Sequence, residues 1–197
     1  MNPVLLVGID YGSKLAGTTS ICFQLGGEIH FLSSRKGQDA DQMILKFGQH
    51  HNPQLIFLDA PLSLPGVYRD HSAEHKDYFY RACDRQLSAM SPMFLGGLTA
   101  RAMRLTRMLL TNQTQVLETY PKWHAHRLGL PDFGYKSGVE HIQKCTEVIL
   151  SETAITLHRE PESWHELDAL LALVTAQRFN KGEHSVVGEH EEGLIYL

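Results

Sequence analysis

The sequence predicts an α/β protein: a mixed five-stranded sheet flanked by helices, with a helical insertion after the fourth strand. Three observations point there. Short apolar runs, Val4–Ile9, Leu55–Leu58 and the pair Val116-Leu117, each close on a carboxylate, Asp10, Asp59 and Glu118. Gly26-Gly27 joins two further strand-like runs as a tight hairpin. Stretches with helical periodicity lie between and after these runs.

Taken in order, Val4–Ile9 reads as a buried strand, Gly17–Phe23 as its antiparallel partner after the turn at Tyr11–Lys14, and Glu28–Leu32 as a third strand beyond the hairpin. Asp39–His50 fits a helix, with Met43, Ile44 and Phe47 on one apolar face. Leu55–Leu58 is a fourth strand, ended by Ala60-Pro61 because proline cannot donate to a ladder. From about residue 62 to 114, prolines, glycines and polar residues surround helical segments and no strand pattern occurs. The sheet resumes at Gln115–Glu118. Helices follow near Val139–Ser151 and at Trp164–Phe179, the second stopped by Gly182. The tail from Val186 to Leu197 carries a short strand through Leu194-Ile195-Tyr196.

The 197 residues fit one domain, 1–197, of ordinary size. A net charge of −4 is not that of a globally basic nucleic-acid binder, so any phosphate-binding surface must be local. Cys22, Cys83 and Cys145 are too few and too scattered for a disulfide framework or a CxxC site, which points to inert thiols in a reducing compartment. The first apolar run lacks a basic start and no run reaches membrane-spanning length, so a cytoplasmic protein without membrane contact is expected. Oligomeric state leaves no mark on the sequence.

Acids at the C-terminal ends of neighbouring strands converge on the edge where α/β sheets place ligands. Gathered acids repel unless a cation sits among them. Asp10 precedes a small glycine-bearing turn, Tyr11-Gly12-Ser13-Lys14, that leaves room for a metal or a phosphate; Ser13 and Lys14 are candidate phosphate contacts. Asp59 and Glu118 end their strands in the same manner. Asp168 sits within an almost wholly apolar helix and would be buried, so it needs a metal, a proton or a cationic partner such as Arg81, Arg85 or Lys122. Glu166, on another face, reads as a solvated acid. His71 and His75 alone among the histidines have helical ligand spacing and would need further ligands, whereas His165 is placed to act as a proton shuttle or to support a metal ligand.

The string Gly8-Ile9-Asp10-Tyr11-Gly12-Ser13-Lys14-Leu15-Ala16-Gly17 resembles the opening of the putative Holliday-junction resolvases of the ribonuclease H-like superfamily. A fuller resemblance, to the predicted nucleases catalogued as domain of unknown function family 429, is carried by Leu58–Pro65, Arg81-Ala82-Cys83-Asp84-Arg85, Leu117–Pro121, Leu167–Ala172 and Glu192–Tyr196. It spans nearly the full chain. What it implies is a ribonuclease H-like fold and a metal-dependent nuclease, a phosphodiester hydrolase using Mg²⁺ or Mn²⁺ in a two-metal site. Asp10 would bridge the ions, Asp59 and Asp168 would each complete one, and Glu118 would orient a water or join them. Partners would be nucleic acid or a small phosphoester. Arg81, Arg85, Arg101, Arg104 and Arg107 would form a basic surface for phosphates, with Asp84 the one acid nearby. Two other readings stay open: an actin-like phosphotransferase or ATPase, whose acid-plus-glycine hairpin cradles phosphates, and a non-catalytic binding module.

Overall fold

The computed structural model describes residues 4–69, 75–110, 114–153 and 155–197. Strands β1 (Leu6–Asp10), β2 (Ser20–Leu25) and β3 (Glu28–Ser33) form an antiparallel meander. Helix α1 (Ala40–His51), capped by the Asp39 carboxylate, returns the chain so that β4 (Leu55–Asp59) pairs parallel to β1. The segment that follows carries α2 (Ala82–Leu87), α3 (Pro92–Leu95) and α4 (Gly97–Leu109) before β5 (Gln115–Glu118) joins β4 in parallel. The strand order is β3-β2-β1-β4-β5, the mixed five-stranded sheet with flanking helices that the sequence predicts.

Helices α5 (Pro121–Arg127), α6 (Ile142–Ser151) and α7 (Trp164–Lys181) follow. Val139 opens a 3-10 turn ahead of α6 and not the helix itself. The tail forms two strands, β6 (Val186–Glu189) and β7 (Gly193–Tyr196), paired as a separate hairpin. β2 starts at Ser20, later than expected, because the hydroxyls of Thr19 and Thr18 accept from the Gly12 and Ser13 N–H groups and hold residues 12–19 as a turn.

Alternation along the strands decides what each end acid faces. Leu6 of β1 and Leu55 and Phe57 of β4 pack with Leu167, Leu170 and Leu171 of α7. Val7, Ile9, Ile56 and Leu58 pack on the other side with α1 and α4. Asp10 and Asp59 continue the first series and so lie on the α7 side. In β5 it is Leu117 that belongs to the α7 side and Val116 to the other, so Glu118 continues the series facing away from α7.

Ser163 caps α7, accepting from the Glu166 N–H at 3.2 Å, and the left-handed Gly182 ends it. Every residue from Glu166 to Ala176 is buried. A Cβ on Gly8 would stand 2.2 Å from Leu173 N and 2.4 Å from Ala169 O, so glycine is what lets the helix backbone reach β1. That contact brings Asp168 over the sheet edge that carries Asp10.

Candidate metal centre

Asp10 and Asp59 are register partners at the ends of adjacent parallel strands. Asp168, 2% exposed, comes down on them from α7. The Asp59 and Asp168 carboxyls both feel Asp10. Burial, then Asp10 and Asp168, push the Asp59 carboxyl well above the ordinary carboxylate range, and burial followed by Asp10 raises Asp168 in the same direction. Both Asp168 oxygens are engaged: Tyr135 Oη donates to Oδ1 at 2.6 Å, and Lys136 Nζ lies 2.6 Å from Oδ2. His165 Nδ1 lies 2.7 Å from Asp10 Oδ2, and that hydrogen bond lifts the imidazole above its usual pKa.

Two clefts meet here. One, of about 390 Å³, is lined by Asp10, Asp59, Glu118 and Lys136, and the other, of about 500 Å³, by Asp10, Ser13, Lys136, His165 and Asp168. Asp10 and Lys136 belong to both. Three carboxylates and an imidazole suit a divalent cation, and Lys136 is a cation that both the Asp59 and the Asp168 carboxyl feel. Among the described residues, the sets of three ligand atoms within 4.8 Å of one another lie elsewhere, so the acids of this edge are not drawn that tightly together with the lysine among them.

Glu118 shares the first cleft with Asp10 and Asp59 and adds to the charge felt by Asp59, but its own carboxylate is taken up by Arg81. It stands level with Leu58, one residue short of Asp59, and on the opposite side of the sheet. Arg81 holds it there: Nη1 donates to Oε2 at 2.7 Å and Nη2 to Oε1 at 2.6 Å, while the Leu62 N–H donates to Oε2 at 2.8 Å. The remaining guanidinium donors reach Asp84 and Ser63. A fully donated arginine with 0% exposure is an internal strut, unable to grip phosphate.

The expected arginine surface is broken up accordingly. Arg85 pairs with Asp77 at 2.8 Å and lies over the Tyr80 ring; Arg101 pairs with Asp41 at 2.7 Å and donates to the Gly12 carbonyl. Arg104 and Arg107 are exposed on α4. Asp41 lies 60 positions from Arg101, beyond any local pattern, whereas Asp77 is only eight before Arg85 and is a nearby acid beside Asp84. Ser13 and Lys14 lie exposed at the turn beyond Asp10, with Lys14 Nζ 3.1 Å from Asp39.

Asp168 meets neither Arg81, Arg85 nor Lys122. Its partners Tyr135 and Lys136 occupy a turn between Gly134 and Gly138, where Lys136 takes a left-handed φ of 61°. Flanking glycines mark the turn in the sequence, but no periodicity links it to a helix 32 residues on. Glu166 is not solvated: it is 4% exposed, receives Arg159 at 2.7 and 2.8 Å, and accepts from Ser33 at 2.8 Å. A helix apolar on nearly all sides buries the acids on every face. His71 lies outside the described residues, and His75 sits 3.4 Å from Glu192. Cys22, Cys83 and Cys145 are free and buried.

No family model and no curated protein matches the chain. Among solved structures, Thermus thermophilus RuvC in complex with a Holliday junction substrate is similar at 12% identity and a TM-score of 0.46, covering 94% of this chain and 99% of that one. Another Thermus thermophilus RuvC structure is similar at 13% identity and a TM-score of 0.45 over the same shares. Among the described residues no helix is long and apolar enough to cross a membrane.

Proposed function

We propose that the chain is a metal-dependent phosphodiester hydrolase, a nuclease of the ribonuclease H-like kind, related to the predicted nucleases of domain family 429. The observation that carries this reading is the meeting of Asp10, Asp59 and Asp168 at one sheet edge, where burial and the neighbouring acids raise the Asp59 and Asp168 carboxyls and Lys136 and His165 partly offset the charge. Repulsion of this kind is a standing cost to the fold, and sites that hold divalent ions accept it.

Asp10, Asp59 and Asp168 would hold Mg²⁺ or Mn²⁺, Asp10 lining both clefts. Such ions supply Lewis-acid polarisation of a phosphate and ease ionisation of a water. The chain's own groups divide the remaining work. Tyr135 fixes the orientation of Asp168, and Lys136, 49% exposed, can turn from Asp168 to a substrate phosphate. His165 can take a proton at the edge of the cleft while its Nδ1 stays with Asp10. Ser13, Lys14, Arg104 and Arg107 supply polar and cationic groups for a phosphate backbone outside the clefts.

The test is cleavage of labelled single-stranded, duplex and four-way-junction DNA, matching RNA, and ATP, with Mn²⁺, with Mg²⁺ and with chelator. Metal-dependent cleavage of one nucleic-acid class is expected, lowered by about two orders of magnitude or more in Asp10→Asn. Activity that survives chelator, or Mn²⁺ binding by calorimetry that is equal in Asp10→Asn and the parent, defeats the proposal. Turnover of ATP alone would favour a nucleotide phosphohydrolase.

A further inference from the structure

A second group of metal-binding side chains lies at the far end of the sheet. Glu28 and His30, two residues apart on the edge strand β3, share one side of it. The segment at 155–158 runs alongside: Ile29 N donates to Thr156 O at 2.9 Å and His158 N to Ile29 O at 2.9 Å. These reciprocal bonds set His158 beside the other two. Its Nδ1 is 3.2 Å from Glu28 Oε2, its ring stacks on that of His30 with centroids 4.5 Å apart, and ligand atoms from all three residues lie within 4.8 Å of one another. We infer that Glu28, His30 and His158 form a transition-metal site, for Zn²⁺ or an ion of similar chemistry, separate from the acid edge.

The donor types carry the first part of the argument. Two imidazoles and a carboxylate are a borderline-soft set that prefers Zn²⁺ to Mg²⁺ or Ca²⁺, the reverse of the oxygen set around Asp10. Position carries the second. Asp10 is level with Ser20 and Ser33, and Glu28 lies five residues back from Ser33 along β3, about 16 Å at the usual rise. One ion therefore cannot serve both places. Access is the third: the Glu28 and His158 side chains are 48% and 59% exposed, so solvent ions reach them and leave room for water or another ligand to complete the shell.

The other set of comparable tightness, His75, Glu189 and Glu192, is already committed. Glu192 spends its oxygens on the N–H groups of Gly66 at 2.8 Å and Ala82 at 2.6 Å, which makes it a backbone clamp. At Glu28–His30–His158 a bound ion would fasten β3 to the segment that continues through Arg159, the partner of Glu166, into α7. The site acts as a staple on the chain entering the helix that carries His165 and Asp168.

The experiment is calorimetric titration of the full chain with ZnCl₂ in an Asp10→Asn, Asp168→Asn background, with Co²⁺ absorption as a reporter of nitrogen ligation. One ion per chain is expected, bound about tenfold or more weakly after His158→Gln and after Glu28→Gln, and unaffected by His75→Gln. Melting of the background protein should rise with Zn²⁺, and that rise should vanish in His158→Gln. Melting without metal verifies that each variant folds; either exposed-residue variant alone suffices for the test. Zinc affinity unchanged in both variants, or lost in His75→Gln instead, overturns the inference.

Discussion

Lys136 reaches Asp168 because its backbone takes a left-handed φ of 61° in the Gly134–Gly138 turn. Its ammonium stands where a metal would be expected to compete. Lys136→Gln should therefore cost the metal-free protein about 1–3 kcal/mol at neutral pH, read by denaturant melts, while tightening Mn²⁺ binding in calorimetry. Unchanged metal affinity would show that the lysine does not compete. The raised acids also set a pH dependence. Asp168 is held at about 6 against an ordinary 3.8, and His165 is held above its ordinary 6.5. A group with a raised folded pKa stabilises the fold fully below its unfolded value, and loses that contribution as pH rises through the folded value. Metal-free protein should thus lose stability from about pH 4 upward through pH 6 and beyond. Asp168→Asn should flatten the slope and Mn²⁺ should reverse it; parallel melting–pH curves for mutant and parent would contradict the assignment. Asp10, Asp59 and Asp168 stand out in the sequence because each interrupts or ends an apolar run. Tyr135 and Lys136 do not, since only the folded turn carries them to Asp168.

Which end acid faces α7 is set by strand alternation. β4 and β5 are apolar on both sides, so the sequence of Val116-Leu117-Glu118 does not reveal where its acid points. Element order, by contrast, was legible: the Gly26-Gly27 hairpin, the Asp39-capped helix and the long apolar helix all lie within a few residues of their expected bounds. The first tail strand was not, because Val186–Glu189 contains a glycine and is little buried. At the β1–α7 crossing, Gly8→Ala would force a methyl group into the Ala169 and Leu173 backbone. A loss of about 3 kcal/mol is expected in denaturant melts, together with activity reduced about 100-fold if displacement of α7 parts Asp168 from Asp10. A variant with parental stability would mean the helix can slide without penalty.

Across the whole molecule, Arg81 joins α2, β5 and the strand-end segment through Asp84, Glu118 and Ser63. Arg81→Ala leaves two buried carboxylates without their guanidinium, and should cost about 3–5 kcal/mol in equilibrium unfolding. Arg104→Gln with Arg107→Gln should instead leave stability within about 0.5 kcal/mol and weaken salt-dependent oligonucleotide binding; full binding at low salt would remove α4 from the phosphate path. The composition bounds net charge but not its pairing, and so could not distinguish the internal arginine from the exposed ones. The tail hairpin closes the same region: Glu192 accepts from Gly66 and Ala82, and Thr119 Oγ1 donates to the Tyr196 carbonyl. Gly66 and Glu192 lie 126 positions apart. During synthesis at about 5–20 residues per second, Gly66 then waits roughly 6–25 s for its carboxylate partner to be made. Over that interval the Gly66 and Ala82 N–H groups lack the carboxylate that clamps them in the finished protein, so this join closes last.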